Sequence, residues 1–237
     1  MVSLLRSLKK IENKMDYEKF LNTYSIDYLS SIDLNIHNHM LDLFLEKNKN
    51  EEFVFFDVGC NAGSFIRAVK EKNINAKIHA FEPHPYLFKY LKEKYSNEII
   101  NEKCVSNKDG NIIIHIPSVS VATSSIINRP LFQDMKSKQE IIELKTESVT
   151  IDSYMKNNKI ENIDFIKIDV EGAEFFVFDG ARKALKENKI ICGQFEIGID
   201  ESGYTFNDIK TLLNGYGYTV ENIFKTDCFF YISSLSL

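Results

Sequence analysis

Between residues 53 and 105 the chain alternates short apolar runs with stretches whose apolar positions recur at three- and four-residue steps. Residues 53–58 hold no polar side chain before Asp57, the pattern of a strand buried on both faces. A turn containing two glycines, 59–63, leads into a helical pattern over 64–72. Residues 77–81 read as a second strand, 85–95 as a helix opening on Pro85, and 99–105 as a third strand. Strand, helix, strand, helix, strand predicts parallel βαβ units, the alternation of an α/β fold.

Residues 106–150 interrupt this rhythm. Asp109-Gly110 is a hairpin turn signal ahead of the β-rich stretch 112–116. Residues 118–139 are polar and irregular, with Pro130 among them; an irregular stretch of that length in a compact domain serves function or lacks fixed structure. A short strand is expected at 141–146 and a short helix at 151–157. The alternation then resumes with a strand at 165–168, a helical stretch over 173–188 broken at Asp179-Gly180, a strand at 190–196, and a helix at 206–213 stopped by Gly215 and Gly217. The last two strands, 218–224 and 228–232, stand three residues apart. A parallel return needs a crossover of about a dozen residues, so these two must form an antiparallel hairpin. Apart from the short strands within 106–150, the expected fold is a seven-stranded, mostly parallel, doubly wound sheet ending in an antiparallel hairpin.

Ahead of this lies a separate helical region. Leu4, Leu8, Ile11 and Met15 form one apolar stripe, and Ile36, Met40, Leu43 and Phe44 a second. A polar run at 47–52 closes it, which divides the chain into a helical N-terminal extension, 1–50, and a main domain, 51–237. The first stripe is short and mildly basic. Packing on the domain or on a partner chain suits it better than lying on a membrane, and a homo-oligomer joined through these helices is consistent with it.

Composition narrows the class. The chain has 237 residues, 44% hydrophobic and 27% charged, and a net charge of −5. That length supports a core without disulfide or metal staples. The lysines are spread along the chain, which argues against a nucleic-acid-binding surface. Cys60, Cys104, Cys192 and Cys228 are too irregularly spaced for a zinc motif or a redox pair; they read as small buried hydrophobes in a reducing compartment. Near the start, Leu4-Leu5 and Leu8 run at once into Lys9-Lys10, and no apolar stretch approaches the ~20 residues of a membrane span. A cytoplasmic location is expected.

The candidate chemistry begins at the first strand–helix turn, Asp57-Val58-Gly59-Cys60-Asn61-Ala62-Gly63. Glycines there let the backbone turn tightly and a ligand approach the main chain. The next acid at a strand end is Glu82, 23 residues after Gly59. In doubly wound folds such an acid accepts hydrogen bonds from ribose hydroxyls. A dinucleotide site would carry G-x-G-x-x-G and set a pyrophosphate on the helix N-terminus. Here Asn61 replaces the middle glycine, and Asp57 stands two residues before the first. An acid at that position suits a ligand bearing an ammonium and a sulfonium, as S-adenosylmethionine does. Asp57 and Glu82 can also be read as acids that merely cap turns, and His84 reads as a loop histidine.

A second constellation lies at 165–174. Lys167 falls inside a central strand, where a lone ammonium is costly unless paired. It shares a face with Asp169, and on the next strand Gln194 shares a face with Glu196. Lys167, Asp169 and Glu196 can thus form one polar cluster at the carboxyl ends of the strands, where ligands bind in such sheets. The functional reading is acceptor binding and proton removal by a positioned carboxylate. A buried ion pair steadying the strand ends is the structural alternative. Glu171 and Glu174 are candidates as well, although acids at a helix N-terminus are favoured by its dipole in any case. Asp169, Glu171 and Glu196 could offer hard oxygen ligands to magnesium, but no histidine stands with them in sequence, and metal-free chemistry is expected.

At these residues the sequence resembles the FkbM family of methyltransferases. The resemblance covers about residues 53–232 and rests on FFDVGCNAGSF, on FEPHP, on the 106–110 stretch, on VTIDSYM, and above all on FIKIDVEGAE followed by Asp179-Gly180. It implies a Rossmann-like class I methyltransferase fold, S-adenosylmethionine as donor with S-adenosylhomocysteine as product, and an oxygen acceptor on a sugar, glycan or related metabolite. By the same resemblance Asp57, Gly59, Asn61, Gly63 and Glu82 line the donor site, with Cys60, Ser64, Phe65 and Pro83 beside them in the same strings. Cys104, Val105 and Ser106 fall beside the adenine, and Asp169, Glu171 and Gly172 match the signature at the end of the fourth strand. Residues 118–140 and the first 50 lie outside the resemblance. Two other functions remain to be weighed: a nicotinamide-dependent oxidoreductase, and a non-catalytic cofactor-binding module on the same fold.

Overall fold

A computed structural model of the chain describes residues 26, 34–47, 52–117, 123–127, 141–197, 203–224 and 226–234. In chain order the elements are α1 (Leu34–Lys47), β1 (Phe53–Val58), α2 (Ser64–Glu71), β2 (Ala76–Phe81), α3 (Pro85–Lys94), β3 (Ile99–Asn101), β4 (Cys104–Val105), β5 (Gly110–Pro117), β6 (Ile141–Val149), α4 (Ile151–Asn158), β7 (Ile163–Ile168), α5 (Glu174–Asp179), α6 (Arg182–Lys186), β8 (Ile190–Glu196), α7 (Phe206–Gly215), β9 (Tyr218–Phe224) and β10 (Asp227–Ile232). The main sheet has seven strands in the order β3-β2-β1-β7-β8-β10-β9. Pairing is parallel from β3 to β8 and antiparallel at β8–β10 and β10–β9, so the terminal hairpin is present as expected.

Register turns the apolar runs into layers. Phe55, Phe165 and Cys192 stand side by side across β1, β7 and β8. Together with Phe53, Phe65 and Phe229 they pack under Met40, Leu41 and Phe44 of α1. Phe44 meets the Phe53, Phe55 and Phe165 rings with centroids 4.9, 5.4 and 5.7 Å away. Burying each such ring is worth about 1.5–3 kcal/mol, so α1 is anchored in the same core as the sheet. The stripe formed by Met40, Phe44, Ile36 and Leu43 is buried or partly buried there; the earlier stripe, Leu4 to Met15, lies outside the described residues. On the opposite face Phe56, Ile166, Phe195 and Phe230 pack with Tyr154, Val177, Phe178 and Leu213 from α4, α5 and α7. Helices therefore cover both faces, as a doubly wound sheet requires.

The structure differs from the sequence pattern in two places. The expected third strand, 99–105, is two strands. The first, β3, pairs with β2, and the chain then leaves the sheet so that β4 pairs with β6 in a second sheet ordered β4-β6-β5. The polar Asn101-Glu102-Lys103 separates the two apolar pairs, a break that the reading of one continuous strand runs through. The Asp109-Gly110 hairpin is also absent, because β4 and β5 flank β6 instead of pairing with each other. Asp109 accepts hydrogen bonds from Thr150 N (2.7 Å) and Ser153 Oγ (2.6 Å), tying this turn to the start of α4. The break at Asp179-Gly180 is real. A Cβ on Gly180 would lie 2.1 Å from the Ser106 carbonyl oxygen, so α5 stops where the chain passes the end of β4. Among the described residues no helix is long and apolar enough to cross a membrane. All four cysteines are buried and free.

Candidate active site

The turn after β1 is shaped by its own backbone. Gly59 N and Cys60 N both donate to Phe81 O at 3.1 Å, and Gly63 N donates to Cys60 O at 2.7 Å. Gly59 has φ 74°, and a Cβ there would sit 1.9 Å from the Asp169 carbonyl oxygen. Glycine alone fits both demands. Asn61 also adopts positive φ. Its N–H donates to Glu82 Oε2 at 2.9 Å, while His84 N–H donates to Glu82 Oε1 at 2.8 Å. Glu82 thereby joins the turn to the end of β2. Burial pushes its pKa up to about 7, against the opposing pull of those two N–H groups. His84 is the N-cap of α3; its Nδ1 faces the N–H groups of Tyr86 and Leu87, and burial lowers its pKa to about 3.

Beside this turn opens a cleft of about 630 Å³. Gly59, Asn61, Glu82 and Pro83 form one side, and Asp169, Val170 and Glu171 another. The second sheet and its flanks supply a third wall through Lys103, Cys104, Val105 and Ile114, with Ser124, Ser125 and Ile126. The 169–173 loop is bent sharply, with positive φ at both Glu171 and Gly172. Glu174 holds it, accepting from Val170 N and Gly172 N at 3.1 Å each. That role accounts for Glu174, a buried carboxyl whose pKa burial raises to about 7.

At the carboxyl ends of the strands the apolar layers give way to a polar row in which Asp57, Lys167 and Gln194 stand side by side. Lys167 Nζ donates to Gly59 O at 2.6 Å and forms ion pairs with Asp169 Oδ2 (3.4 Å) and Asp57 Oδ1 (3.5 Å). Burial disfavours its charge, but Asp169 and Asp57 outweigh that and its pKa is raised. Asp57 is fully buried, and beyond the Lys167 ion pair neither carboxylate oxygen has a hydrogen-bond partner among the described residues. Burial moves its pKa up to about 6 despite Lys167. Sharing Asp169 with this cleft is a smaller polar hollow of about 290 Å³, whose lining includes His37, Lys167, Gln194, Glu196 and Asp227.

The structure brings Gly59, Asn61, Glu82, Pro83, Cys104, Val105, Asp169 and Glu171 to the cleft, and Lys167, Asp169 and Glu196 to the hollow. Other expected site residues are placed elsewhere. Asp57 lies behind Gly59, facing Lys167, because strand alternation turns it into the sheet's polar row. Cys60 is buried in the core. Gly63 packs against Leu91 and Tyr95. Phe65 stacks on Phe165 with centroids 5.5 Å apart. Ser64 hydrogen-bonds His37, and buried Ser106 donates its N–H to Val149 O. Alternation had put Gln194 on the face of Glu196 without assigning it to the site, and sequence reasoning missed His37, Asp227 and the Ser124–Ile126 stretch, which also line the cavities. The expectation that no histidine accompanies the acids fails at His37. Both its ring nitrogens are engaged, Nδ1 with Gln194 Nε2 (3.0 Å) and Nε2 with Ser64 Oγ (3.1 Å). Burial, with Lys167 adding, lowers its pKa to about 3, so it is neutral. Among the described residues no group of three or more His, Cys, Asp and Glu side chains is placed to hold a metal ion.

The methyltransferase FkbM domain model matches residues 57–220, a span that contains both cavities except for His37 and Asp227. The chain belongs to the FkbM methyltransferase family. It is 26% identical over 175 residues to the 2-O-methyltransferase NoeI of Sinorhizobium fredii, covering 68% of this chain and 69% of that protein. It is 25% identical over 177 residues to the hexuronic acid methyltransferase AglP of Haloferax volcanii, covering 73% of this chain and 68% of that protein. A solved methyltransferase from Aquifex aeolicus is 12% identical, with a TM-score of 0.44 over 87% of this chain and 95% of that one. Membership in the FkbM family makes the chain a methyltransferase, removes the oxidoreductase reading, and implies S-adenosylmethionine as donor. The cleft fits that donor chemically. Asn61 Oδ1 is buried with no hydrogen-bond partner among the described residues. Among the described residues the lining sets the carboxylates Glu82, Asp169 and Glu171 against one cation, Lys103, itself paired to Glu147. Such a lining favours hydroxyl and ammonium donors and disfavours a pyrophosphate.

Proposed function

We propose that this FkbM-family enzyme methylates a hydroxyl of a sugar or glycan, with S-adenosylmethionine held in the larger cleft and the acceptor approaching from the Asp169 side. The observation that carries the reading is Asp169 itself, which lines both cavities and is ion-paired to Lys167. When bound, S-adenosylmethionine supplies an electrophilic methyl group on a sulfonium. Glu82 accepts hydrogen bonds from the ribose hydroxyls. The Gly59–Asn61 backbone and Asn61 Oδ1 receive the amino-acid end, and Cys104, Val105 and Ile114 flank the adenine. Asp169 takes the proton of the acceptor hydroxyl. Lys167, ion-paired to Asp169, keeps that carboxylate oriented. Glu196 and Glu171 hold the acceptor on either side of Asp169. Asp57 acts through Lys167 and not by touching the donor. The two named relatives, a 2-O-methyltransferase and a hexuronic acid methyltransferase, support the sugar assignment.

The methyltransferase domain in this reading spans 51–237, and α1, from the stretch before it, completes the site with His37. A cytoplasmic setting, in which four buried thiols stay reduced, goes with the same reading. The test is methyl transfer from labelled S-adenosylmethionine to a glycan panel, with calorimetry of S-adenosylhomocysteine alongside. Transfer to a sugar hydroxyl is the expected result. Tight binding of the product with no transfer to any acceptor would instead make the chain a non-catalytic binding module.

A further inference from the structure

One buried side chain in the smaller hollow has a polar atom that the fold leaves unmatched. Gln194 stands in β8 between Lys167 of β7 and Phe229 of β10, and it is 4% exposed. Its amide is fixed by a chain of contacts from α1 and α2. Nε2 donates to His37 Nδ1 at 3.0 Å, and His37 Nε2 gives its proton to Ser64 Oγ at 3.1 Å. The His37 ring is itself held edge-on to Phe65, with centroids 5.7 Å apart. A neutral imidazole can accept at one nitrogen while it donates from the other, and burial keeps His37 neutral. One end of the Gln194 amide is thereby committed. The other end, Oε1, is buried with no hydrogen-bond partner among the described residues, on a side chain that lines the hollow. Lys167, beside it in register, is engaged with Gly59 O, Asp57 and Asp169 and gives Oε1 no hydrogen bond. A buried carbonyl oxygen without a donor is costly, and an apolar side chain at this position would avoid the cost.

We infer that Gln194 is a specificity-determining residue of the acceptor site: its Oε1 accepts a hydrogen bond from a second hydroxyl of the sugar whose first hydroxyl gives its proton to Asp169. The inference rests on the reading of Asp169 as the proton acceptor and adds the residue that reads the neighbouring group. Asp169 and Gln194 line the same hollow, and both neighbour Lys167, Asp169 through an ion pair and Gln194 through strand register. The substrate class that follows is a polyhydroxylated ring, with discrimination against the analogue that lacks the second hydroxyl. A site built to hydrogen-bond a hydroxyl rejects the ligand without it, because the buried acceptor is then left unpaired. His37 and Ser64 act through Gln194 as positioning residues, holding Nε2 so that Oε1 stays available.

The test uses the full chain and the methyl glycosides of glucose, galactose and mannose with their monodeoxy analogues, titrated by saturation-transfer NMR in the presence of S-adenosylhomocysteine. For the tightest of the three full sugars, removing the hydroxyl read by Gln194 weakens binding about tenfold, the value of one hydrogen bond whose loss leaves a buried acceptor unpaired. In Gln194→Met that one penalty disappears, the full sugar falling to the level of its deoxy analogue, while the penalty at the hydroxyl facing Asp169 stays. Gln194→Glu, which keeps an oxygen at the Oε1 position, restores the lost penalty. S-adenosylhomocysteine affinity is the same in the parent and both variants, because Gln194 does not line the larger cleft. A merely structural Gln194 would weaken every sugar alike in Gln194→Met, and that result overturns the proposal. So does a Gln194→Met protein that keeps every penalty of the parent, or a set of sugars of which none binds while S-adenosylhomocysteine does. Failure of S-adenosylhomocysteine to bind the parent protein strikes the donor-cleft reading instead, and the same titrations without it then decide the role of Gln194.

Discussion

The donor cleft and the hollow share Asp169 but are built on different principles. The side of the cleft formed by the β1–α2 turn and the end of β2 comes from a run of about 25 residues, 57–83, and much of its shape is backbone. Gly59 and Asn61 hold positive φ, N–H groups point at Glu82, and a carbonyl oxygen of the 169–173 loop stands where any Cβ on Gly59 would be. The hollow is made of side chains from α1, β8, β10 and the end of β7, and its hydrogen bond between Gln194 and His37 spans 157 residues of sequence. A backbone-built cleft suits a ligand that does not vary, and a side-chain-built hollow can be changed by single substitutions without disturbing the turn. On this account donor use is constant and acceptor choice is tunable.

The sharpest test of the division is at the shared residue. Asp169→Asn is expected to lower turnover by about 10²–10⁴-fold, the range for a lost general base, while leaving S-adenosylhomocysteine affinity nearly intact by calorimetry. A matching fall in product affinity would show Asp169 to be a donor-cleft residue and dissolve the distinction. Next in size, Glu82→Ala should weaken S-adenosylhomocysteine binding by about 10–100-fold, from the ~1.5–3 kcal/mol of hydrogen bonds to a charged group. Unchanged affinity would end the ribose assignment.

The same carboxyl predicts a pH effect. Its pKa in the folded protein is raised to about 7, so near pH 6 it is largely protonated, and ribose hydroxyls need it ionised as an acceptor. Product affinity should therefore rise by up to about tenfold from pH 6 to pH 8, with proton release visible as a buffer-dependent heat. This slope should vanish in Glu82→Gln. The smallest effect is expected at His37→Ala. It strands Gln194 and Ser64 at a cost of about 1–3 kcal/mol, lowers the melting temperature, and raises the acceptor KM several-fold. Donor affinity should hold, because no atom of His37 lines the larger cleft. Donor affinity falling in step with acceptor binding would show the two cavities to be one cooperative unit.

Much of this molecule is legible along the chain because the rules that shape it act over short distances. Apolar runs bounded by turns mark β1, β2, β7 and β8, the gap of only two or three residues between the last two strands forces a hairpin, and a glycine turn followed by Glu82 marks the candidate ligand edge. The backbone around Gly59 is dictated within a few residues, so the motif carries its own geometry. The polar Asn101-Glu102-Lys103 marks a break within 99–105, but that β3 and β4 belong to different sheets is not legible, since it depends on which neighbour each meets. Nor is the burial of Asp57 against Lys167, the entry of His37 from α1, or the facing of Glu196 by Asp227. Each of these depends on strand order and register, which bring together residues far apart in the chain. Sequence alone thus determined most of the elements, their alternation and the glycine turn after the first strand. The tertiary structure decided which side chains look at one another, because contact across a sheet is set by packing of the whole core and leaves no local trace.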